Sequence, residues 1–477
     1  MNESPYSPAL RTAVVLTGSG TAGAYHAGVL RALHEAGIRI DLMAGRGIGA
    51  LGAIFLSIDG GARLWEADGF WRASGLGTLY GWRPRLRAAG WALAVAGAFL
   101  LLPVALLAGI VLMYLAGWTL ALAGATGASV RIGAAARGLL DALFDPAALP
   151  TIVPRLAMLA AIVAALILVA AAWRSGRQSS RHQAAGWSAL TGAPLDSRRA
   201  VARATTALWD LIRGAAPLAL PTPREVSRKY GEMLAENIGQ PGFRELLIVV
   251  HDLDARRDLT FALLSEAHRA PLFGRRVGGA DRRDRAAAPR LTDDAIDLAG
   301  TGREHALDAL AAALSLPLAT DPHVMTFAPE AYWRGESHRL CDRIAADARL
   351  LEEVAAAGAE QVVIVSAAAA LQGPHALAPT RGDARGRAGE YVTAVESAAL
   401  RDAQATAAAL SVFSGGLFQI RPAHNPLGPL DFNGCYVPRS DRYQSVAELI
   451  DRGYEDAYRQ FIEPIVAAGG EPAAKLV

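Results

Sequence analysis

The chain of 477 residues is poor in cysteine, in lysine and, over one long stretch, in charge of any kind. Two cysteines, Cys341 and Cys435, exclude a disulfide framework and a cysteine-ligated zinc site. Only Lys229 and Lys475 are lysines, and arginine carries the rest of the positive charge. With abundant Ala and Gly, that bias reads as the codon usage of a GC-rich bacterial genome. A net charge of +2 gives no reason to expect a nucleic-acid partner. The opening "MNESPYSPALRT" lacks a basic segment followed by an apolar run, so it does not read as a secretory signal. The expectation is a first strand that folds in the cytoplasm. There is no internal repeat, and no Gly-x-Ser-x-Gly occurs anywhere.

Charge is missing most conspicuously from Ala88 to Val130, where 43 consecutive residues include no Asp, Glu, Lys, Arg or His. A second uncharged run of 18 residues covers Leu156–Trp173. A spanning helix needs about 20 apolar residues. The pattern predicts a transmembrane insertion over 88–175 with spans at about 88–115 and 156–173, the first followed by an interfacial or re-entrant piece. An even number of crossings keeps the flanking segments on one side, where one domain requires them to be. Arg83, Arg85 and Arg87 before the first span, and Arg174, Arg177 and Arg181 after the second, bias that side towards the cytoplasm. The expected location is the cell inner membrane, with the soluble domain facing the cytoplasm.

Outside this region the pattern is α/β. Strand-like runs fall at Ala13–Leu16, Leu246–Val250, Gln361–Ser366 and Phe418–Arg421. Helical patterns lie between them at His26–Ala36, Leu350–Ala357 and Glu390–Ala409. Strands separated by helices predict a mostly parallel sheet. The segments 273–290 and 370–387 read as solvated connections.

Two glycine-rich turns carry the chemistry. In "AVVLTGSGTAGAYHAGVLRAL", Gly18, Gly20 and Gly23 form G-x-G-x-x-G between a strand and a helix. Converging N–H groups at such a turn suit an anion, either a phosphate or an acyl-transfer oxyanion, so Gly18, Ser19, Gly20 and Gly23 are the anion-binding candidates. A dinucleotide site explains this turn too, with Asp41 about 20 residues on as the ribose-binding acid. In "IDLMAGRGIGALGAIF", Gly45-Arg46-Gly47-Ile48-Gly49 has the frame of a nucleophile elbow with Gly47 where the serine would stand.

The pair "LTGSGTAGAYHAGVLRAL" and "AGRGIGALGA" resembles the start of the patatin-like phospholipase domain. Looser similarity extends over 245–263 and 355–367. The apolar runs place an inserted two-helix transmembrane hairpin, and with it the bilayer as a partner, inside the domain to which the resemblance points. The expected parts are 12–75, with the glycine loop and elbow, and 200–477, with a C-terminal helical extension; no cofactor and no metal is expected. The resemblance implies a patatin-like three-layer α/β domain with a mostly parallel sheet, and phospholipid or fatty-acyl ligands. It also implies an elbow serine and a late Asp-Gly-Gly or Asp-Gly-Ala aspartate, and neither is present. Gly47 has no hydroxyl. The acid position falls on Arg334 in "YWRGES" or on Asn433 in "DFNGCYV", and Ala22 replaces the family's loop arginine. Asp59-Gly60-Gly61 comes too early and reads as a helix-ending turn.

Other reactive side chains have two readings each. Ser19 either bonds its own turn or faces the cavity. Cys341 and Cys435 are packed thiols or nucleophiles. His26 either packs its helix or meets a headgroup. Arg46 either reaches a lipid phosphate or carboxylate, or is a solvated loop charge. "SDRY", from Ser440, reads as a helix cap, with a binding edge around Asn433, Arg439 and Asp441 as the alternative. The expected function is a membrane protein that binds or acts on phospholipid or fatty-acyl ligands with its hydrolytic site impaired. The alternatives are an acyl hydrolase with a non-standard nucleophile and a dinucleotide-binding protein.

Overall fold

The computed structural model describes residues 6–145, 153–178, 193–277, 294–370, 382–437 and 441–469. The chain divides into two compact units, one made of Met1–Gly81 with Asp196–Val477 and the other of Trp82–Leu195.

In the first unit, β1 (Thr12–Thr17) leads into α1 (Ala22–Glu35), and β2 (Leu42–Gly45) leads into α2 (Gly49–Leu56) and the short α3 (Ala62–Trp65). All six residues of β1 are buried, as expected of a central strand covered on both faces. The nine-stranded sheet runs β11 (Leu417–Ile420), β10 (Gln361–Ser366), β1, β2, β5 (Glu245–Asp252), β6 (Arg257–Leu263), β7 (Ala295–Asp297). The hairpin of β8 (His323–Thr326) and β9 (Ser337–Cys341) attaches through β9 to β5. The pairs β11–β10, β10–β1, β1–β2, β2–β5 and β6–β7 are parallel. The pairs β5–β6, β5–β9 and β8–β9 are antiparallel, so the sheet is mixed.

Helices cover both faces. Val15, Ala44, Val249 and Ile364 point to one side, where they pack on Leu350 and Val354 of the helix Asp347–Ala356 and Leu400 of the helix Ala384–Ala409. Leu16 points to the other side, towards Leu30 of α1 and Gly52 of α2. "SDRY" does not open a helix. Arg442–Gln444 is a strand, and the helix Val446–Ala457 is capped by Ser445, whose Oγ accepts the Glu448 N–H at 3.4 Å. Ser440 and Arg439 lie outside the described residues.

The second unit is helical: α4 (Pro84–Leu122), α5 (Thr126–Leu143) and α6 (Val153–Gln178). Here the expected two-helix transmembrane hairpin is corrected. Among the described residues one helix, α4, is long and apolar enough to cross a membrane. It runs unbroken for 39 residues, through Pro103 and past the end at about 115 expected for the first span. In α6 the apolar helical part is Pro154–Ala170. At about 1.5 Å per residue this falls short of a hydrocarbon core of about 30 Å. Ala89, Ala96, Ile110 and Gly117 of α4 are buried at multiples of seven residues, as are Ala157 and Ala164 of α6, and Gly117 faces Ser129 and Ile132 of α5.

Candidate functional site

The two glycine turns leave the same edge of the sheet. β1 and β2 are parallel neighbours with Leu16 opposite Gly45, so both turns emerge at the carboxyl ends of adjacent strands, where open α/β sheets bind ligands. Gly45 ends β2, Gly49 begins α2, and Gly23 lies in the first turn of α1 against Trp71. Gly47 sits at the apex with φ +53°, the left-handed conformation of a strained elbow.

Two things close this elbow. A Cβ built on Gly47 would stand 2.4 Å from the Gly18 carbonyl oxygen and 3.0 Å from Asp342 Oδ2. The same Gly18 carbonyl accepts the Ile48 N–H at 3.0 Å. In an elbow hydrolase the N–H after the nucleophile belongs to the oxyanion hole. In this chain that donor is already used inside the protein.

The glycine loop is closed as well. Gly18, Ser19 and Gly20 are buried. The Thr21 N–H donates to the Pro429 carbonyl at 3.0 Å, and Thr21 Oγ1 donates to the Gly428 carbonyl at 2.9 Å. Gly20 is required because a Cβ there would lie 1.8 Å from the Pro429 oxygen. The segment 427–432 therefore lies as a strap against Gly20 and Thr21, and its Pro429 carbonyl takes up the Thr21 N–H.

Beneath the apex is a buried charge cluster. Arg46 is fully buried, with Nε on Asp347 Oδ1 at 2.5 Å. Its Nη1 lies 3.6 Å from Asp342 Oδ2 and 3.8 Å from Glu396 Oε1. Ser19 Oγ donates to Glu396 Oε1 at 2.8 Å. One guanidinium thus faces three carboxylates. Burial pushes Glu396 up to about 7 against the opposing pull of Arg46 and the Ser19 bond. Burial likewise pushes Asp342 up to about 6; Arg46 and the nearby N–H groups of Arg343 and Gly47 offset part of that rise. Neither Asp342 oxygen meets hydrogen-bond geometry with any group. The three carboxylates hold Arg46 charged although burial works against it. Arg46 therefore takes neither of the positions expected from the sequence: it is not a solvated charge, and it does not reach an exposed ligand.

Asp342 is the residue that sequence reasoning missed. It follows β9 directly, and its N–H donates to the Ser315 carbonyl at 2.9 Å. It faces the apex that Arg334 and Asn433 were expected to face. Arg334 is instead exposed in the turn of the β8–β9 hairpin with φ +45°, and Asn433 is exposed in a loop with its side-chain oxygen against Gly77. The missing signal was glycine. Asp342 stands between Cys341 and Arg343, and only its place just after a strand marks it.

No protein-family model matches this chain. No curated protein matches it. Among solved structures, the crystal structure of VipD from Legionella pneumophila matches over 96% of this chain and 67% of its own, at 12% identity and a TM-score of 0.27. A likeness at that score carries no argument about fold or function.

The remaining candidates resolve on geometry. His26 Nε2 lies 3.0 Å from the Thr17 carbonyl, and burial lowers its pKa to about 4, so the ring is neutral and tied to β1. Cys341 is buried, and burial beside Asp342 pushes its thiol up to about 12, which removes the thiolate a nucleophile needs. Asp41 precedes β2 and accepts the Thr12 N–H at 2.9 Å. That is the amino edge of the sheet, opposite the glycine turns, where it cannot reach a ribose bound to them. Asp59, with φ +55°, ends α2, and the Gly60 N–H returns to the Phe55 carbonyl at 2.8 Å. Among the described residues, no group of three or more His, Cys, Asp or Glu is placed to hold a metal.

Proposed function

We propose that this chain is a membrane-associated protein of patatin-like type that binds phospholipid or fatty-acyl ligands without hydrolysing them. One observation carries the reading. At the elbow there is no attacking atom, and the Ile48 N–H that would steady an oxyanion is held by the Gly18 carbonyl. Acyl transfer needs both parts. The buried Arg46 cluster fits the same reading, because it turns the floor of the site into an ion-paired core. Membrane association is supported by α4, whose Leu100, Leu101, Leu102 and Val104 are exposed. Arg83, Arg85 and Arg87 at its start favour the cytoplasmic face of the inner membrane.

A second reading rests on a different contact. Ser19 donates to Glu396, and Glu396 is poised near neutrality, which is the arrangement of a nucleophile and its base. In that reading Ser19 passes its proton to Glu396 as it attacks the acyl carbon, and Glu396 returns the proton to the departing alkoxide as the ester C–O bond breaks, once the 427–432 strap has moved. The two readings separate in one experiment. Detergent-purified protein is treated with a fluorophosphonate probe, and fatty-acid release is assayed on phospholipid and on p-nitrophenyl esters. The expected result is neither labelling nor release. Labelling and turnover that disappear in Ser19→Ala would replace the silent reading with the Ser19–Glu396 hydrolase.

A further inference from the structure

We propose that a groove on the first turns of α4 holds one anionic phospholipid of the bilayer, with its phosphate on Arg87 and its upper acyl chain along Leu86, Gly90 and Ala94. This rests on the membrane association proposed above. The groove is open to the surroundings and offers about 670 Å³ between Trp82 and Trp91, within the range of about 300–1,000 Å³ usual for small-molecule sites. Leu86, Gly90 and Ala94 recur every four residues and so form one stripe of the helix. Gly90 keeps that floor open: a Cβ built on it meets nothing within 4 Å.

The walls identify the occupant. Trp82 and Trp91 are 46% and 69% exposed. An indole combines a large apolar ring with one N–H donor, and at the end of an apolar helix it suits the headgroup layer. Arg87 is exposed and donates to the Trp82 carbonyl at 3.4 Å, a long bond that occupies one of its five donors. A guanidinium so placed can take a phosphate through two parallel bonds. The amino end of the helix dipole adds positive potential in the same turn. Beyond the groove, exposed Leu93, Leu100 and Leu101 continue the apolar path along the same side of α4. A free phosphate would use the arginine alone. Two indoles, an open apolar floor and an apolar exit together match a lipid.

The test uses the full-length chain in nanodiscs of phosphatidylcholine and phosphatidylglycerol. After gentle detergent extraction, native mass spectrometry counts the lipids retained per protein. Vesicle flotation of the same samples reports membrane association separately. Wild type should retain phosphatidylglycerol in clear excess. Arg87→Gln should cut that preference about fivefold, the weight of one arginine at an anionic surface. Gly90→Leu should fill the floor and lower retention of both lipids. Both variants should float like wild type. Equal retention of the two lipids by wild type, a preference unchanged in Arg87→Gln, or retention unchanged in Gly90→Leu overturns the site while leaving membrane association standing. Failure of wild type to float overturns both.

Discussion

At the scale of single residues, Arg46 and Glu396 define what the buried cluster tolerates. Removing one partner of a buried ion pair leaves uncompensated charge, typically at a cost of about 3–5 kcal/mol. Arg46→Ala leaves Asp342, Asp347 and Glu396 without their common cation, so a loss of that size is expected in urea denaturation. A loss below about 1 kcal/mol would mean that the carboxylates do not depend on Arg46. Glu396 gives a pH dependence whose sign follows from linkage. Its folded pKa of about 7 lies above the ordinary 4.5, so the native state binds the proton more tightly than the unfolded state does. Its burden on stability is therefore absent below about pH 4.5 and grows as pH rises to about 7. Glu396→Gln keeps an acceptor for Ser19 and cannot ionise. Its stability relative to wild type should rise between pH 5 and pH 8, as measured by thermal melts across that range. A difference that does not change with pH would refute the assignment. None of this was legible in the sequence. Arg46 was readable as an oddity beside Gly47, but Asp342 and Glu396 lie about 300 and 350 positions away along the chain, and only the crossing of β9 and of the helix Ala384–Ala409 brings them under the elbow.

At the scale of elements, the long apolar strands were the legible part. Gln361–Ser366 occupies the range read from the sequence, and Thr12–Thr17 extends Ala13–Leu16 by a residue at each end. Buried parallel strands are short continuous apolar runs rich in β-branched residues, as Gln361–Ser366 is. β8 and β9 were missed because they are short antiparallel strands in which exposed and buried residues alternate: Val324 and Thr326 are exposed while Met325 is buried, and Ser337 and Arg339 are exposed while His338 and Leu340 are buried. Helix packing was equally invisible. α1 crosses the helix Val446–Ala457 so closely that a Cβ on Gly28 would lie 1.8 Å from the Ile450 carbonyl, and one on Gly453 would lie 2.2 Å from the Tyr25 carbonyl. Backbone cannot give way as a flexible side chain can. Gly453→Val should therefore destabilise by at least the about 1–3 kcal/mol usual for overpacking, whereas Glu455→Val on the exposed face should stay within about 0.5 kcal/mol. Equal melting temperatures for the two variants would contradict this crossing.

At the scale of the whole molecule, the first unit is assembled from sequence on both sides of the second. The strands β3 (Gly81–Trp82) and β4 (Leu195–Asp196) pair with each other. Replacing residues 83–194 by a short Gly/Ser linker should therefore leave a protein that melts cooperatively and no longer floats with vesicles. Loss of cooperative melting would show that the first unit needs the second in order to fold. The sequence by itself determined the local chemistry: which runs are apolar enough for a buried sheet or a lipid-facing helix, and that two glycine turns frame an elbow without a hydroxyl. These are properties of neighbouring residues, set by side-chain polarity and by the absence of a Cβ. Tertiary structure alone decided what stands around that elbow. The Gly18 carbonyl closes the Ile48 N–H, the Pro429 carbonyl takes up the Thr21 N–H, and Asp342 and Glu396 share Arg46. Each of these is a contact between residues far apart in the chain, fixed by strand order and helix packing, and no local pattern encodes it.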